Sequence, residues 1–125
     1  MAWPVEVTAA FEAWYSRLED ADREAVNAAV DTLEDRGPGL GRPLVGAVTG
    51  SRHGHLKELR IGTIRILFRF DPRRTAILLL GGDKSGEWSA WYPKAIAAAD
   101  DLYDRYLADL GEEGCFQGSD RFGCS

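Results

Sequence analysis

The chain has 125 residues, enough for one domain and one core, and its apolar fraction of 45% is that of an ordinary globular protein. No apolar run approaches the roughly 20 residues of a membrane-spanning helix, and Met-Ala-Trp-Pro-Val-Glu lacks the basic start and apolar stretch of a secretory leader, so a cytoplasmic protein with no membrane partner is expected. A net charge of −5 taken alone argues against polyanion binding.

Trp3, Val5 and Val7 alternate with Pro4, Glu6 and Thr8, which predicts a short first strand with Pro4 at its start or on an edge. The period then changes to helical. Phe11, Trp14, Tyr15 and Leu18 form one stripe, and after Glu19-Asp20 a second runs through Val26, Ala29, Val30 and Leu33. Asp20 can cap the second helix, and Gly37-Pro38 supplies its stop. So short a link predicts an antiparallel helical hairpin laid on a sheet.

Gly37 to Gly54 reads as an ordered, glycine-rich surface loop anchored by Leu40, Leu44, Val45 and Val48. Leu56 to Ile61, Gly62-Thr63 and Ile64 to Phe70 read as a hairpin with a two-residue turn. Asp71 to Arg74 is the next turn, and Thr75 to Leu80 is aliphatic enough for a central strand. From Gly81 to Trp91 the chain is expected to leave the sheet, and a last helix is expected from about Pro93, with Ile96, Ala99, Tyr103, Tyr106, Leu107 and Leu110 on one face. The expected order is β-α-α-β-β-β-α. The expectation is an α+β domain over residues 1–110 with a helical hairpin packed on a small antiparallel sheet, followed by a mobile tail over residues 111–125. Cys115 and Cys124 lie in that tail, and with no clustered histidine beside them no metal site is expected.

Charge is unevenly distributed. Residues 51–94 carry nine Arg/Lys against four Asp/Glu, whereas the two flanking segments are each net −5. A basic block between acidic flanks suits either a solvated sheet face or a polyanion-binding one. If the turn is Gly62-Thr63, Ile61 lies opposite Ile64, Arg60 opposite Arg65, Leu59 opposite Ile66 and Glu58 opposite Leu67. Strict alternation then points Leu59, Ile61, Ile64, Ile66, Phe68 and Phe70 to the core. Glu58, Arg60, Arg65 and Arg69 are left on a solvent face. Two arginines directly across a strand pair repel, so either Glu58 neutralises one of them or the pair awaits a phosphate.

Lys84, Trp88, Trp91 and Tyr92 follow the last strand, close enough in sequence to reach that arginine face. Cations for phosphate and aromatics for bases suit single-stranded RNA, although Trp88 and Trp91 can equally seal the last helix against the sheet. His53 and His55 are the two histidines; they are either simply exposed or able to move protons near neutral pH. The glycine-rich Gly81 to Gly86 lacks the spacing of a nucleotide-cradling loop.

The block from Gly50 to Arg74, continuing to Leu78 to Lys84 and Trp91 to Ala95, resembles the phage-derived HigB branch of the RelE/ParE toxin superfamily, and the resemblance covers about residues 3–110. It implies the toxin of a type II toxin–antitoxin module: an endoribonuclease that cuts mRNA on the ribosome and arrests translation and growth. The implied partners are a cognate antitoxin, of the helix-turn-helix HigA-like kind, together with mRNA and ribosome. Operator DNA would be met only through the antitoxin complex. The implied chemistry is metal-free transesterification by the ribose 2′-hydroxyl, with no cofactor. Position by position, the resemblance implies catalytic roles for Arg65, Lys84, Tyr92 and Arg60. RNA contacts are expected from Lys57, which matches the family's basic strand, and, from their place in the basic block and beside it, from Arg69, Arg73, Arg74, Trp91, His53 and His55. As a proton acceptor Tyr92 would need cationic neighbours to lower its pKa. A ParE-like topoisomerase inhibitor without catalysis, or a non-catalytic binding module, is the alternative.

Overall fold

The computed structural model describes residues 2–83 and 88–113. In chain order the elements are β1 (Val5–Val7), α1 (Ala9–Ser16), α2 (Asp20–Arg36), a 3-10 turn (Gly37–Gly39), β2 (Val45–Ala47), β3 (Lys57–Ile61), β4 (Ile64–Phe70), β5 (Ala76–Asp83) and α3 (Trp88–Glu113). The five strands form one sheet in the order β1-β5-β4-β3-β2.

The N-terminal half follows the sequence reading closely. Thr8 begins α1 by accepting a hydrogen bond from the Phe11 amide at 3.1 Å, and its own hydroxyl donates to the Leu79 carbonyl at 2.8 Å, so the cap is also a tie to β5. Val26, Ala29, Val30 and Leu33 are the buried residues of α2. Gly37 ends that helix at φ +59°, a conformation that favours glycine, and a Cβ there would strike the Trp3 ring. Asp20 does not cap α2. It is the first helical residue, Glu19 takes the cap position, and the Asp20 carboxylate pairs with Arg23 instead.

The β3–β4 register is the one expected, with Arg60 opposite Arg65, Ile61 opposite Ile64 and Glu58 opposite Leu67. The rest of the sheet differs in four ways. It is mixed rather than antiparallel, because β1 runs parallel to β5. The 37–54 segment contains an edge strand, β2, which three residues are too few to announce by alternation. β5 continues past Leu80 through Gly81, Gly82 and Asp83. And α3 begins at Trp88, five residues before Pro93, and runs past Leu110 to Glu113, so the expected helix start and tail boundary both move.

A bulge opposite Leu67 and Phe68 explains how β5 ends. Leu78 packs with the α1–α2 cluster while Ile77, Leu79 and Leu80 all lie in the α3 cluster, so alternation slips by one at Leu79-Leu80. Gly81 then lies under the Trp14 ring of α1, and Gly82 under Trp91 of α3. The two glycines stay in the sheet because each admits an indole where a Cβ would collide.

The largest departure concerns the second face of the sheet. One face packs Leu59, Ile64, Ile66, Phe68 and Leu78 against Phe11, Val26, Val30 and Leu33. The other packs Leu56, Leu67, Ile77 and Leu79 against Ala95, Ala99 and Tyr103 of α3. The arginine face is therefore covered, and Arg65, expected in solvent, is only 8% exposed. The expectation failed because strand alternation assigns sides without saying what packs on each.

Candidate functional site

The site is built around a buried carboxylate on β3. Glu58 is 4% exposed and lies on the α3 side of the sheet. Arg60, two residues on and hence on the same side, donates from Nε to Glu58 Oε2 at 2.9 Å. Arg65 brings its Nε to 4.0 Å from Glu58 Oε1, while its Nη1 donates to the carbonyls of Gly62 at 2.7 Å and Ile64 at 2.9 Å. From α3 the Tyr92 hydroxyl donates to the same Oε1. One carboxylate thus gathers two guanidinium groups and a phenol, the last from 34 residues further along the chain.

Two glycines make room for this. Gly46 on β2 pairs with Glu58, and the Arg60 guanidinium lies across it where a side chain would collide. Gly82 pairs with Arg65 and carries the Trp91 ring, whose centroid stands 5.3 Å from that of Tyr92 at an interplanar angle of 66°. Within the cluster Arg65 is sealed and Arg60 is the accessible cation, its side chain 36% exposed. Burial, and then the hydrogen bond to Glu58, push the Tyr92 hydroxyl up to about 12. The two arginines pull the other way with less effect, so the lowering that a role as proton acceptor would need does not occur. At neutral pH the Tyr92 hydroxyl keeps its proton and donates it in the hydrogen bond to Glu58.

The other expected site residues go elsewhere. Lys57 has the opposite parity on β3, and its Nζ stands 5.7 Å from the Phe70 ring on the α1–α2 side. Arg69 is on the cluster's face but further along β4; it donates to the Gly54 carbonyl at 2.9 Å and lies 4.3 Å from the Tyr103 ring centroid. Arg73 is held by Asp71 at 2.7 Å and donates to the Tyr106 hydroxyl at 2.6 Å. Tyr106 is fourteen positions along α3 from Tyr92, about 21 Å at the helical rise. Arg74, exposed at φ +68°, belongs to the same distant turn. His53 bonds Asp104 at 2.7 Å and meets the Tyr103 ring edge-on, and His55 is exposed at φ +55°. Lys84 lies outside the described residues, as does the Trp88 side chain.

Sequence reasoning weighed Glu58 only as a neutraliser of one arginine, and it missed Gly46 entirely. Shared parity of Glu58, Arg60 and Arg65 was the available signal for the carboxylate. Also missed was the clamp on the loop before β3: the buried Asp100 of α3 accepts from the Ser51 hydroxyl at 2.5 Å and the Arg52 amide at 2.9 Å, and Arg52 Nη2 reaches Asp104 at 2.5 Å.

A family model described as phage-derived protein Gp49-like (DUF891) matches residues 13–104. HigB3 of Mycobacterium tuberculosis, named as a toxin, is 50% identical over 99 residues, covering 78% of this chain and 87% of HigB3. HigB2 of the same organism, also named as a toxin, is 45% identical over 115 residues covering 88% of this chain, which spans 57% of the length of HigB2. Among solved structures, one chain of the toxin–antitoxin complex RelBE2 from Mycobacterium tuberculosis superposes with a TM-score of 0.54 at 19% identity, covering 66% of this chain and 99% of that one. That likeness shows a shared fold.

Proposed function

This chain belongs to the phage-derived Gp49-like family and to its HigB branch of RelE-like toxins, and from that premise we propose that it is a ribosome-dependent mRNA endoribonuclease. Its partner is a cognate antitoxin, in this reading a helix-turn-helix protein of the HigA kind, and it acts in the cytoplasm. No helix among the described residues is long and apolar enough to cross a membrane.

The observation that carries the reading is the convergence of Arg60 and Tyr92 on Glu58. In 2′-hydroxyl transesterification the 2′ oxygen gives up its proton to solvent as it bonds to phosphorus, the 5′ oxygen leaves and takes up a proton, and a cyclic phosphate remains. The pentavalent phosphorane needs cations near its equatorial oxygens, and the leaving oxygen needs a proton. Arg60 is the accessible cation, with a planar fork suited to phosphate. Tyr92 carries a proton that the leaving alkoxide, more basic than a phenolate, can take. Glu58 and Arg65 act behind them, Glu58 by fixing both groups and Arg65 by tightening the Gly62 turn from beneath. Lys84 is assigned a phosphate-holding role by family resemblance.

Arg60→Ala tests the reading. Cleavage of translated mRNA, mapped by primer extension, is expected to fall by roughly a hundredfold, the loss typical of removing one charge-stabilising donor. Melting temperature and antitoxin capture should stay as in the wild type. Equal cleavage by the variant overturns the assignment. A second reading, the ParE-like toxin that inhibits a topoisomerase without catalysis, is favoured by one feature: Glu58 already neutralises Arg60. It predicts that replication stops before translation, with mRNA intact.

A further inference from the structure

β2 is an edge strand of the sheet, and its central residue, Gly46, has no side chain. The strand is held to β3 on both sides of that glycine. The Arg60 amide donates to the Leu44 carbonyl at 2.7 Å, and the Val48 amide donates to the Leu56 carbonyl at 2.9 Å. Gly46 is buried, and its φ lies outside the left-handed region, so the backbone itself does not call for glycine there. A glycine inside a strand gives up chain freedom and packs nothing, and it commonly marks a place where another group must approach closely.

The group that approaches is the Arg60 guanidinium. A Cβ on Gly46 would stand 2.3 Å from its Nη2, 2.7 Å from its Cζ and 3.1 Å from its Nε, so the planar group lies across the strand where a side chain would be. Its Nε is engaged, donating to Glu58 Oε2 at 2.9 Å, while among the described residues its two Nη nitrogens meet no acceptor. The guanidinium is rigid and flat, so whatever displaces Nη2 also turns Nε away from Glu58. Gly81 and Gly82 make room in a similar way, but for the bulky indoles of Trp14 and Trp91. Above Gly46 stands the far end of a flexible side chain, so an added methyl group moves Arg60 rather than the strand.

We propose that Gly46 is a positioning residue for Arg60, its missing side chain letting the guanidinium lie with Nε on Glu58 and its Nη edge free for a phosphate. The proposal rests on the endoribonuclease reading and adds to it a residue that has no side chain with which to touch substrate. It makes the edge strand, otherwise remote from the chemistry, a part of what aims the accessible cation.

Gly46→Ala is the test. Its control is Ala47→Ser, at the neighbouring exposed position, whose side chain points to the opposite face of the strand. Gly46→Ala should keep the wild-type melting temperature and antitoxin capture. It should shift the nitrogen–proton resonance of the Arg60 Nε–H group and speed its exchange with solvent. Cleavage of translated mRNA should fall by about tenfold or more, the order lost when a reacting group is misplaced by about an ångström. In an Arg60→Ala background the same change should lower cleavage no further, because both act through one guanidinium. Additive losses would show that the glycine serves the strand and would overturn the proposal. So would an unmoved Arg60 resonance, a marked fall in melting temperature, or an equal loss in Ala47→Ser. The two readings fail separately. Wild-type cleavage by Arg60→Ala removes the endoribonuclease assignment, whereas cleavage that needs Arg60 but is unchanged in Gly46→Ala removes only the positioning role.

Discussion

The two ends of α3 are pinned to the sheet by the same trio of residue types with opposite openness. Near its start Tyr92 donates to Glu58, which also holds Arg60 and faces Arg65. Near its end Tyr106 donates at 2.8 Å to Glu6, which is 2% exposed, and accepts from Arg73. The difference lies in the charge balance. Arg73 has its own carboxylate, Asp71, fully buried and further fixed by the Arg73 and Thr75 amides, so that end closes on itself. At the Tyr92 end two guanidinium groups share one carboxylate, and one of the two reaches solvent over a glycine. A buried Glu–Tyr pair fastens the helix at both ends; among the described residues the Tyr92 end sets two guanidinium groups against one carboxylate, and under the proposed function that is the end that meets an anionic substrate.

Glu58→Ala and Glu6→Ala should separate the two ends most widely. Removing Glu58 takes the carboxylate from two guanidinium groups, one of them buried, and should cost about 3–5 kcal/mol in denaturant unfolding. Removing Glu6 deprives a neutral phenol of its acceptor and should cost about 1–3 kcal/mol. Equal losses would show that the charge difference is immaterial.

Arg65→Ala sharpens the same contrast. On a solvent face it would cost no more than about 0.5 kcal/mol, but Arg65 is buried, braces the Gly62 turn and faces Glu58, so a loss of about 3 kcal/mol is expected. Arg73→Ala leaves the buried Asp71 carboxylate with its two backbone amides alone and should cost about 2 kcal/mol, and it should leave mRNA cleavage intact.

Tyr92→Phe and Tyr106→Phe each delete one buried hydroxyl and should destabilise alike, by about 1–2 kcal/mol. Their effects on cleavage should diverge. Tyr92→Phe is expected to lower it by a hundredfold or more, as befits loss of a general acid, and Tyr106→Phe to leave it unchanged.

The smallest expected effect is on alkaline stability. Both hydroxyls are raised above their ordinary value of 10.0, chiefly by burial and then by a carboxylate, Tyr92 to about 12 and Tyr106 further. A group whose folded pKa is raised contributes stability that is full below its unfolded pKa and lost as pH climbs to the folded one. The protein should therefore weaken between about pH 10 and pH 12, and Tyr92→Phe should flatten that decline. An unchanged slope, followed by thermal melts at stepped pH, would mean that Tyr92 is not held by Glu58.

Most of the chain's local order was legible in the sequence because local signals carry it. The helical stripes of α1 and α2, the Gly37 stop and the Gly62-Thr63 turn each depend on neighbours a few residues away, and the turn alone sets Arg60 opposite Arg65. The bulge in β5 was not legible, since nothing in Leu78-Leu79-Leu80 distinguishes a slipped alternation from a regular one. Nor was β2, at three residues. Of the candidate site, Arg60, Arg65, Tyr92 and Trp91 were named from sequence and do lie together, while Lys57, Arg73 and Arg74 do not.

The sequence by itself determined which side of β3 and β4 a residue occupies, because alternation and a two-residue turn leave no freedom in that pair. It also determined the family, through a specific block of residues. Only the tertiary structure decided that α3 lies over the arginine face, which turned Arg65 from a surface cation into a buried brace and left Arg60 as the exposed one. It decided as well that Tyr92 is buried against Glu58, and burial, then that hydrogen bond, raise its hydroxyl above the ordinary value. The physical reason is that burial and electrostatic environment belong to whatever packs from elsewhere in the chain, here a helix 34 residues away from the carboxylate it covers.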